Sequence, residues 1–413
     1  MKNLTYITLG FMTLLAFPSL ASGQGHQRWH VQLDLRESNP LLSNDITRLD
    51  MADLNQDGVP EMLFADPYYS TYFRFLDRGR VSVVDGATGH VLFEQFGAQS
   101  NANFGLYAHF LEDISGDGIP DLAISDGQLG TYRLHLFSGA DFQALNNPEV
   151  DRRFHDVISI GDQTGDGLSE LAVIRSTTTV PTLDILDGFD FSLIARKDLG
   201  DFPVLTRLGD LNGDGFDDVG LTYILRPLGL DQSAIMSGTD LLPISNFTPD
   251  LYGAQALADA GDVDGDGIDD VIVGEPHKIF PMRFLAGQAT IYSGADGAVI
   301  ARHVGLTGEQ VGRYVEGLGD VDHDGFADYM IGSRASRLRS VARDNYLELR
   351  FFSGANHSEQ GIVRGFGPIG RGVKIISAYP ATQTQGPFLA FSDPINHPSG
   401  SMTSRVFMFR HGN

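Results

Sequence analysis

The stretch Asp53-Leu54-Asn55-Gln56-Asp57-Gly58-Val59-Pro60-Glu61 places side-chain oxygens at its first, third, fifth and ninth positions, with glycine at the sixth. It recurs five times: Asp113-Ile-Ser115-Gly-Asp117-Gly118-Ile119-Pro-Asp121, Asp162-Gln-Thr164-Gly-Asp166-Gly167-Leu168-Ser-Glu170, Asp210-Leu-Asn212-Gly-Asp214-Gly215-Phe216-Asp-Asp218, Asp262-Val-Asp264-Gly-Asp266-Gly267-Ile268-Asp-Asp270 and Asp320-Val-Asp322-His-Asp324-Gly325-Phe326-Ala-Asp328. Successive starts lie 60, 49, 48, 52 and 58 residues apart, a period that belongs to repeat architectures.

A second word keeps the same period. Asp85-Gly86, Ser138-Gly139, Asp187-Gly188, Ser237-Gly238, Ser293-Gly294, Ser353-Gly354 and His411-Gly412 each end a short apolar run. Further apolar runs follow the acidic loops, such as Met62-Leu-Phe64 and Val271-Ile-Val273, and Leu389-Ala-Phe391 continues that series without an intact loop before it. Short apolar runs closed by Gly and Asp read as strands joined by turns, and no stretch carries a helical period. Four strands per unit and seven units predict an all-β chain folded as a seven-bladed β-propeller of roughly 56 residues per blade. The acidic loops fall in blades one to six. In the seventh unit Pro380, Thr382 and Thr384 stand where the first three ligands would be. Trp29–Leu35 has no blade of its own and is expected to pair with Arg405–Phe409, closing the last blade.

The loop chemistry suits a hard cation that takes six to eight oxygens in a flexible shell, so up to six calcium ions are expected. Position 1 is Asp53, Asp113, Asp162, Asp210, Asp262 or Asp320, and position 3 is Asn55, Ser115, Thr164, Asn212, Asp264 or Asp322. Position 5 is Asp57, Asp117, Asp166, Asp214, Asp266 or Asp324, and position 9 is Glu61, Asp121, Glu170, Asp218, Asp270 or Asp328. Position 7 (Val59, Ile119, Leu168, Phe216, Ile268, Phe326) is apolar, which fits a ligand supplied by its backbone carbonyl. An EF-hand fails, because position 12 would be a bidentate Glu and is Phe64 or Val273, with strands rather than helices around it. The ligand positions hold 20 carboxylates, which alone account for most of the net charge of −24. Three or four carboxylates within a few ångströms repel strongly without a cation.

Composition narrows the function classes. The chain has 413 residues, 42% of them hydrophobic, and no cysteine, so thiolate metal sites, disulfides and cysteine nucleophiles are excluded. An acidic chain without clustered Lys and Arg is a poor nucleic-acid partner. Residues 1–21 have the layout of a signal peptide: a short cationic start, an apolar run over Leu4–Phe17, and small residues before a cut after Ala21. That run falls short of the ~20 residues a membrane span needs. Residues 22–413 are expected to form one propeller domain, exported to the periplasm, cell surface or medium, and monomeric.

The loops and surrounding words resemble the FG-GAP repeats of the integrin α-subunit N-terminal propeller and its bacterial relatives. Phe104-Gly105 and Tyr252-Gly253 look like the "FG" word, while Ala65-Asp66-Pro67, Gly274-Glu275-Pro276 and Ser392-Asp393-Pro394 look like "GAP". The resemblance implies calcium loops between the first and second strands on one face, and ligand binding on the other. Three segments expected on that second face stand out: Tyr68, Tyr69, Tyr72, Phe73 and Arg74; His277, Lys278, Phe280 and Arg283; and Arg334, Arg337, Arg339 and Arg343. Arg and aromatic residues anchor recognition, so the expectation is a binding or adhesion module for a protein or acidic polysaccharide. No catalytic signature is present, and the 12 histidines show no ligand spacing. An exported calcium-dependent polysaccharide-degrading enzyme and a scaffold of a surface assembly are the alternatives, which fold alone does not separate.

Overall fold

A computed structural model describes residues 28–35, 48–70, 76–128, 131–145, 154–176, 180–199, 203–223, 232–244, 254–336, 345–365, 376–379, 388–396 and 402–412. The expected signal peptide, Tyr72, Phe73, Arg74, Tyr252, Gly253, Arg337, Arg339, Arg343, Pro380, Thr382 and Thr384 lie outside them. Every regular element among the described residues is a strand, and no helix there is long and apolar enough to cross a membrane.

The strands form antiparallel sheets in which neighbours in the chain are neighbours in space. After β1 (Arg28–Leu35), the first sheet comprises β2 (Arg48–Ala52), β3 (Glu61–Asp66), β4 (Arg80–Val84) and β5 (Val91–Phe96). The second has β6 (Ala108–Leu111), β7 (Asp121–Gln128) and β8 (Thr131–Phe137), and the third has β9 (Phe154–Ser159), β10 (Leu171–Ser176), β11 (Pro181–Leu186) and β12 (Leu193–Asp198). Next come β13 (Pro203–Leu208), β14 (Asp218–Tyr223) and β15 (Gln232–Met236), then β16 (Ala256–Gly261), β17 (Asp270–Glu275), β18 (Gln288–Tyr292) and β19 (Val299–Val304). The sixth sheet is β20 (Tyr314–Gly319), β21 (Asp328–Ser336), β22 (Asn345–Phe352) and β23 (Glu359–Gly365). In the last, β24 (Ile376–Tyr379), β25 (Phe388–Asn396) and β26 (Met402–Gly412) are joined by β1. The β1–β26 register puts Val31 opposite Phe409 and Leu35 opposite Val406, so residues 28–35 supply that sheet's outermost strand. The second and fourth sheets have three strands each, and lone bridges Phe137–Ala144 and Met236–Pro243 follow their last strands.

Burial follows the sequence pattern. β3 and β17 are buried along their whole length, as continuous apolar runs covered on both faces should be. The outer strand β5 is exposed or half-buried throughout. Apolar clusters form between successive sheets: Leu63, Val81, Val83, Leu122 and Ile124 span the first two, and Ile272, Ile291, Val315, Tyr329 and Ile331 span the fifth and sixth. The first strands meet in sequence: β2 touches β6, β6 touches β9, β9 touches β13, β13 touches β16, β16 touches β20, β20 touches β24, and β24 returns to β2.

These first strands are sheet edges whose unpaired amides need partners, and neighbouring sheets supply some of them. Asp50 accepts from the Phe110 amide at 2.9 Å, Asp156 from the Leu205 amide at 3.0 Å, and Ser159 Oγ from the Glu112 amide at 2.9 Å. His109 lies between two of these acids, 3.3 Å from Asp156 and 3.7 Å from Asp50. Burial alone would push its imidazole down, but the two carboxylates outweigh burial and raise it to about 9.

Candidate metal centres and the opposite loop face

Each acidic loop joins the first strand of a sheet to the second, so all six lie at the same end of their sheets. The local fold follows from hydrogen bonds centred on the Asp at position 1. In the fifth loop Asp262 accepts from the amides of Gly265 (2.7 Å), Asp266 (3.0 Å) and Gly267 (2.9 Å). Asp162 and Asp210 gather the amides of positions 4, 5 and 6 in the same way. The amide of position 7 donates to the Asp at position 5 in all six loops, at 2.8 to 3.1 Å. The glycine at position 6 has φ between 81° and 94°, the left-handed region a side chain disfavours. Position 4 is left-handed too. Gly fills it in four loops, whereas Gln56 (φ 57°) and His323 (φ 61°) hold it in the other two.

The ninth position unites the two repeated words. Its carboxylate is at most 4% exposed, and one oxygen accepts the amide of position 2 in every loop, for example Leu54 to Glu61 at 2.7 Å and Val263 to Asp270 at 2.8 Å. In four of the loops its other oxygen accepts the amide of the glycine in the Ser-Gly word: Gly139 to Asp121, Gly238 to Asp218, Gly294 to Asp270 and Gly354 to Asp328, at 2.9 to 3.1 Å. That glycine is required on steric grounds. A Cβ on Gly294 would stand 2.0 Å from the Asp269 carbonyl oxygen, and one on Gly238 would stand 2.0 Å from that of Asp217. The turn that follows the third strand is thereby latched onto the acidic loop.

The donor set fits a cation. In three loops, carboxylate oxygens of Asp162, Asp166 and Glu170, of Asp262, Asp264 and Asp270, and of Asp320, Asp322 and Asp328 lie within 4.8 Å of one another. Loops one, two and four have Asn55, Ser115 and Asn212 at position 3, and the amides of Asn55 and Asn212 donate to the carboxylates of Glu61 and Asp218. Asp53 Oδ1, Asp322 Oδ1 and Glu170 Oε1 are buried with no hydrogen-bond partner. All three are ligand-position oxygens, and a buried carboxylate oxygen without a donor is costly unless a cation meets it. Burial, with neighbouring acids adding to it, pushes the carboxyls of Glu61, Asp218, Asp270 and Asp328 up to about 7 and Asp121 to about 6.

The "FG" word clasps successive sheets together. Gly79, in the loop between β3 and β4, bridges Phe104, and Gly287, between β17 and β18, bridges Val311. The glycines that follow, Gly105 and Gly312, have φ of 87° and 83°. Val311-Gly312 plays the part of Phe104-Gly105 without its aromatic, which is why the sequence hid it.

At the opposite end of the sheets, the singled-out residues divide. Tyr69 packs 5.6 Å from Phe96 under the Arg80 guanidinium, while Tyr68 is exposed. Lys278 donates to both oxygens of Glu275, the last residue of β17, at 2.8 Å, so its charge is met three residues away. Arg283 donates to the Gly305 carbonyl, and Gln255 lies 2.7 Å from His277. Arg334 lies on β21. Three apolar side chains stand open in this loop: Met282 at 95%, Phe284 at 69% and Ile279 at 62% exposure. The loop that carries them is braced, since Phe280 and Arg283 exchange amide hydrogen bonds and Gly308, Gln310 and Val311 donate to the carbonyls of Phe284, Leu285 and Ala286. Reading this surface as basic and aromatic missed that apolar group, whose signal was the run Ile279-Phe280-Pro281-Met282 outside any strand.

No protein-family profile matches the chain. Among curated proteins it is similar to integrin alpha-5 of Xenopus laevis, 33% identical over 144 residues, covering 32% of this chain and 14% of the relative. It is also similar to integrin alpha-V of Gallus gallus, 24% identical over 207 residues, covering 43% of this chain and 19% of the relative. Among solved structures, the Dos1 propeller covers 93% of this chain at a TM-score of 0.44 and 7% identity. The chain therefore spans less than a fifth of the integrin relatives it matches, and its likeness to them is that of an all-β, integrin-like repeat protein with acidic clusters able to hold metal.

Proposed function

We propose that the chain is an exported, seven-bladed, calcium-stabilised propeller acting as an extracellular binding or adhesion module for a protein or anionic-glycan ligand. Support for the architecture is the circuit of contacts that runs from β2 through each first strand and back to β2. The observation that carries the calcium reading is the set of partnerless buried oxygens on Asp53, Glu170 and Asp322, each at a ligand position of a separate loop. Asp, Asn, Ser, Thr and Glu oxygens without any sulfur or imidazole favour calcium over softer metals.

In this reading calcium fixes the loop end, and the opposite end, whose loops connect the second and third strands, meets the ligand. The partial likeness to integrin α chains supports a binding role, and the want of a catalytic signature in the sequence argues against an enzyme. Retention of the purified chain on immobilised acidic polysaccharides and extracellular proteins, with calcium and with chelator, tests the proposal. Calcium-dependent retention on at least one surface is expected. Turnover of a polysaccharide, with no retention on any surface, would replace this reading with the enzymatic one.

A further inference from the structure

The loop between β17 and β18 carries the run Pro281-Met282-Arg283-Phe284-Leu285, exposed without a break. Leu306, in the adjoining loop between β19 and β20, is exposed as well. Both loops lie at the end of the sheets away from the acidic loops. At that same end the loop between β3 and β4 exposes Tyr68 and Leu76. Backbone hydrogen bonds hold the tip of the fifth-sheet loop. Phe280 and Arg283 exchange theirs, and Gly308 and Gln310 donate to the carbonyls of Phe284 and Leu285. A turn built in this way has no need of apolar side chains, so several of them together in water mark a docking surface.

Shape and charge select the occupant. Met282, at 95% exposure, projects from the tip. A rigid protein partner would need a pocket to match such a projection, whereas acyl chains mould around it. A glycan offers hydroxyls that these side chains cannot pair. Arg283 sits within the run, and Arg313 follows the adjoining loop. Neither meets an acid among the described residues: Arg283 donates to the Gly305 carbonyl, and the Arg313 guanidinium lies 6.0 Å from the Tyr314 ring. The 20 ligand-position carboxylates sit at the other end of the sheets. An anionic surface therefore attracts this end and repels the other.

We propose that this end of the chain docks on an anionic lipid bilayer. Ile279, Met282, Phe284 and Leu306 enter the boundary between headgroups and acyl chains, and Arg283 and Arg313 reach lipid phosphates from the same tip. The docking goes beyond the ligand of the proposed function, because it sets the surface on which the chain sits whatever that ligand is.

The test is co-sedimentation of the full chain, in calcium, with vesicles of phosphatidylcholine alone and of phosphatidylcholine mixed with phosphatidylglycerol. The mixed vesicles are expected to bind more tightly, by roughly fivefold for each arginine, and Arg283→Gln with Arg313→Gln should abolish that preference. Met282→Ser with Phe284→Ser should weaken binding by at least about tenfold and, being exposed, should melt with the wild type. Calcium in the acidic loops is a second route to anionic lipid, so a readout at the tip separates the two. The chain has one tryptophan, Trp29, which sets the baseline. Phe284→Trp emission should be quenched by brominated acyl chains well beyond that of the wild type. No binding of either vesicle, equal binding of both, binding unchanged in the serine pair, or quenching no greater than the wild type's would overturn the docking. Retention on acidic polysaccharides and extracellular proteins is read in parallel. Retention without vesicle binding overturns the docking and leaves the binding-module reading intact. Vesicle binding with the expected quenching, but no retention, keeps the docking and sinks the module.

Discussion

Replacing Asp270 by Asn tests how the acidic loops contribute to stability. The Asp270 side chain is fully buried, accepts the amides of Val263 and Gly294, and lies within 4.8 Å of the Asp262 and Asp264 carboxylates. Asparagine keeps one acceptor and turns an NH2 toward the other amide, which costs about 1–3 kcal/mol with or without metal. The calcium-dependent part is separate. With a dissociation constant of about 10⁻⁴ M for an extracellular site, 10 mM calcium is roughly 100-fold in excess and stabilises by about 2.7 kcal/mol. An unfolding entropy near 2.1 cal/mol/K per residue, taken over the 413 residues, converts this into about 3 °C of melting temperature for one site. Scanning calorimetry with 10 mM calcium and with chelator gives both parts. Asp270→Asn should lower the melting point in chelator and should also shrink the calcium-induced rise by about 3 °C. Asp322→Asn is the control, because Asn55 and Asn212 already serve at that position in other loops, and it should keep most of the rise. An Asp270→Asn chain whose calcium-induced rise equals the wild type's would refute the reasoning.

Other expectations follow from the same geometry. Gly294→Ala drives a Cβ to 2.0 Å from the Asp269 carbonyl oxygen and should cost at least about 2 kcal/mol in urea unfolding, whereas Gly267→Ala meets no atom within 4 Å and should lose only the cost of its positive φ, about 1 kcal/mol. His109 keeps its proton up to about pH 9 when folded, against 6.5 when unfolded, so its pairs with Asp50 and Asp156 stabilise fully below pH 6.5 and lose their effect as pH rises through 9. Stability measured across that window should fall by at most about 3 kcal/mol, and His109→Gln should flatten the fall. Met282→Ser with Phe284→Ser alters two exposed side chains and should leave the unfolding free energy within about 0.5 kcal/mol of wild type while weakening ligand retention; unchanged retention would remove that loop from the binding surface.

Much of the loop chemistry was legible because it is local. Spacing alone located the Asp at position 1, whose oxygens collect amides no more than five residues away, and the glycine at position 6. What escaped the sequence is contact across sheets or across long separations. Asp270 and Gly294 belong to two words 24 residues apart, and nothing in either word says that one is hydrogen-bonded to the other. Asp50 meets the amide of Phe110 from 60 residues away, a pairing fixed by how two sheet edges abut. The left-handed fourth position was half-legible, since Gly marks it in four loops while Gln56 and His323 disguise it in two. Lys278 and Tyr69 looked available for a ligand because composition does not reveal a neighbour; Glu275 takes the first, and Arg80 with Phe96 takes the second.

Calcium bound per chain is the most direct measure of the central claim. Equilibrium dialysis against millimolar calcium, with the metal counted by atomic emission, should give six ions per chain, falling to five in Asp270→Asn. A count of none or one in the folded wild type would contradict the assignment of these loops as metal centres.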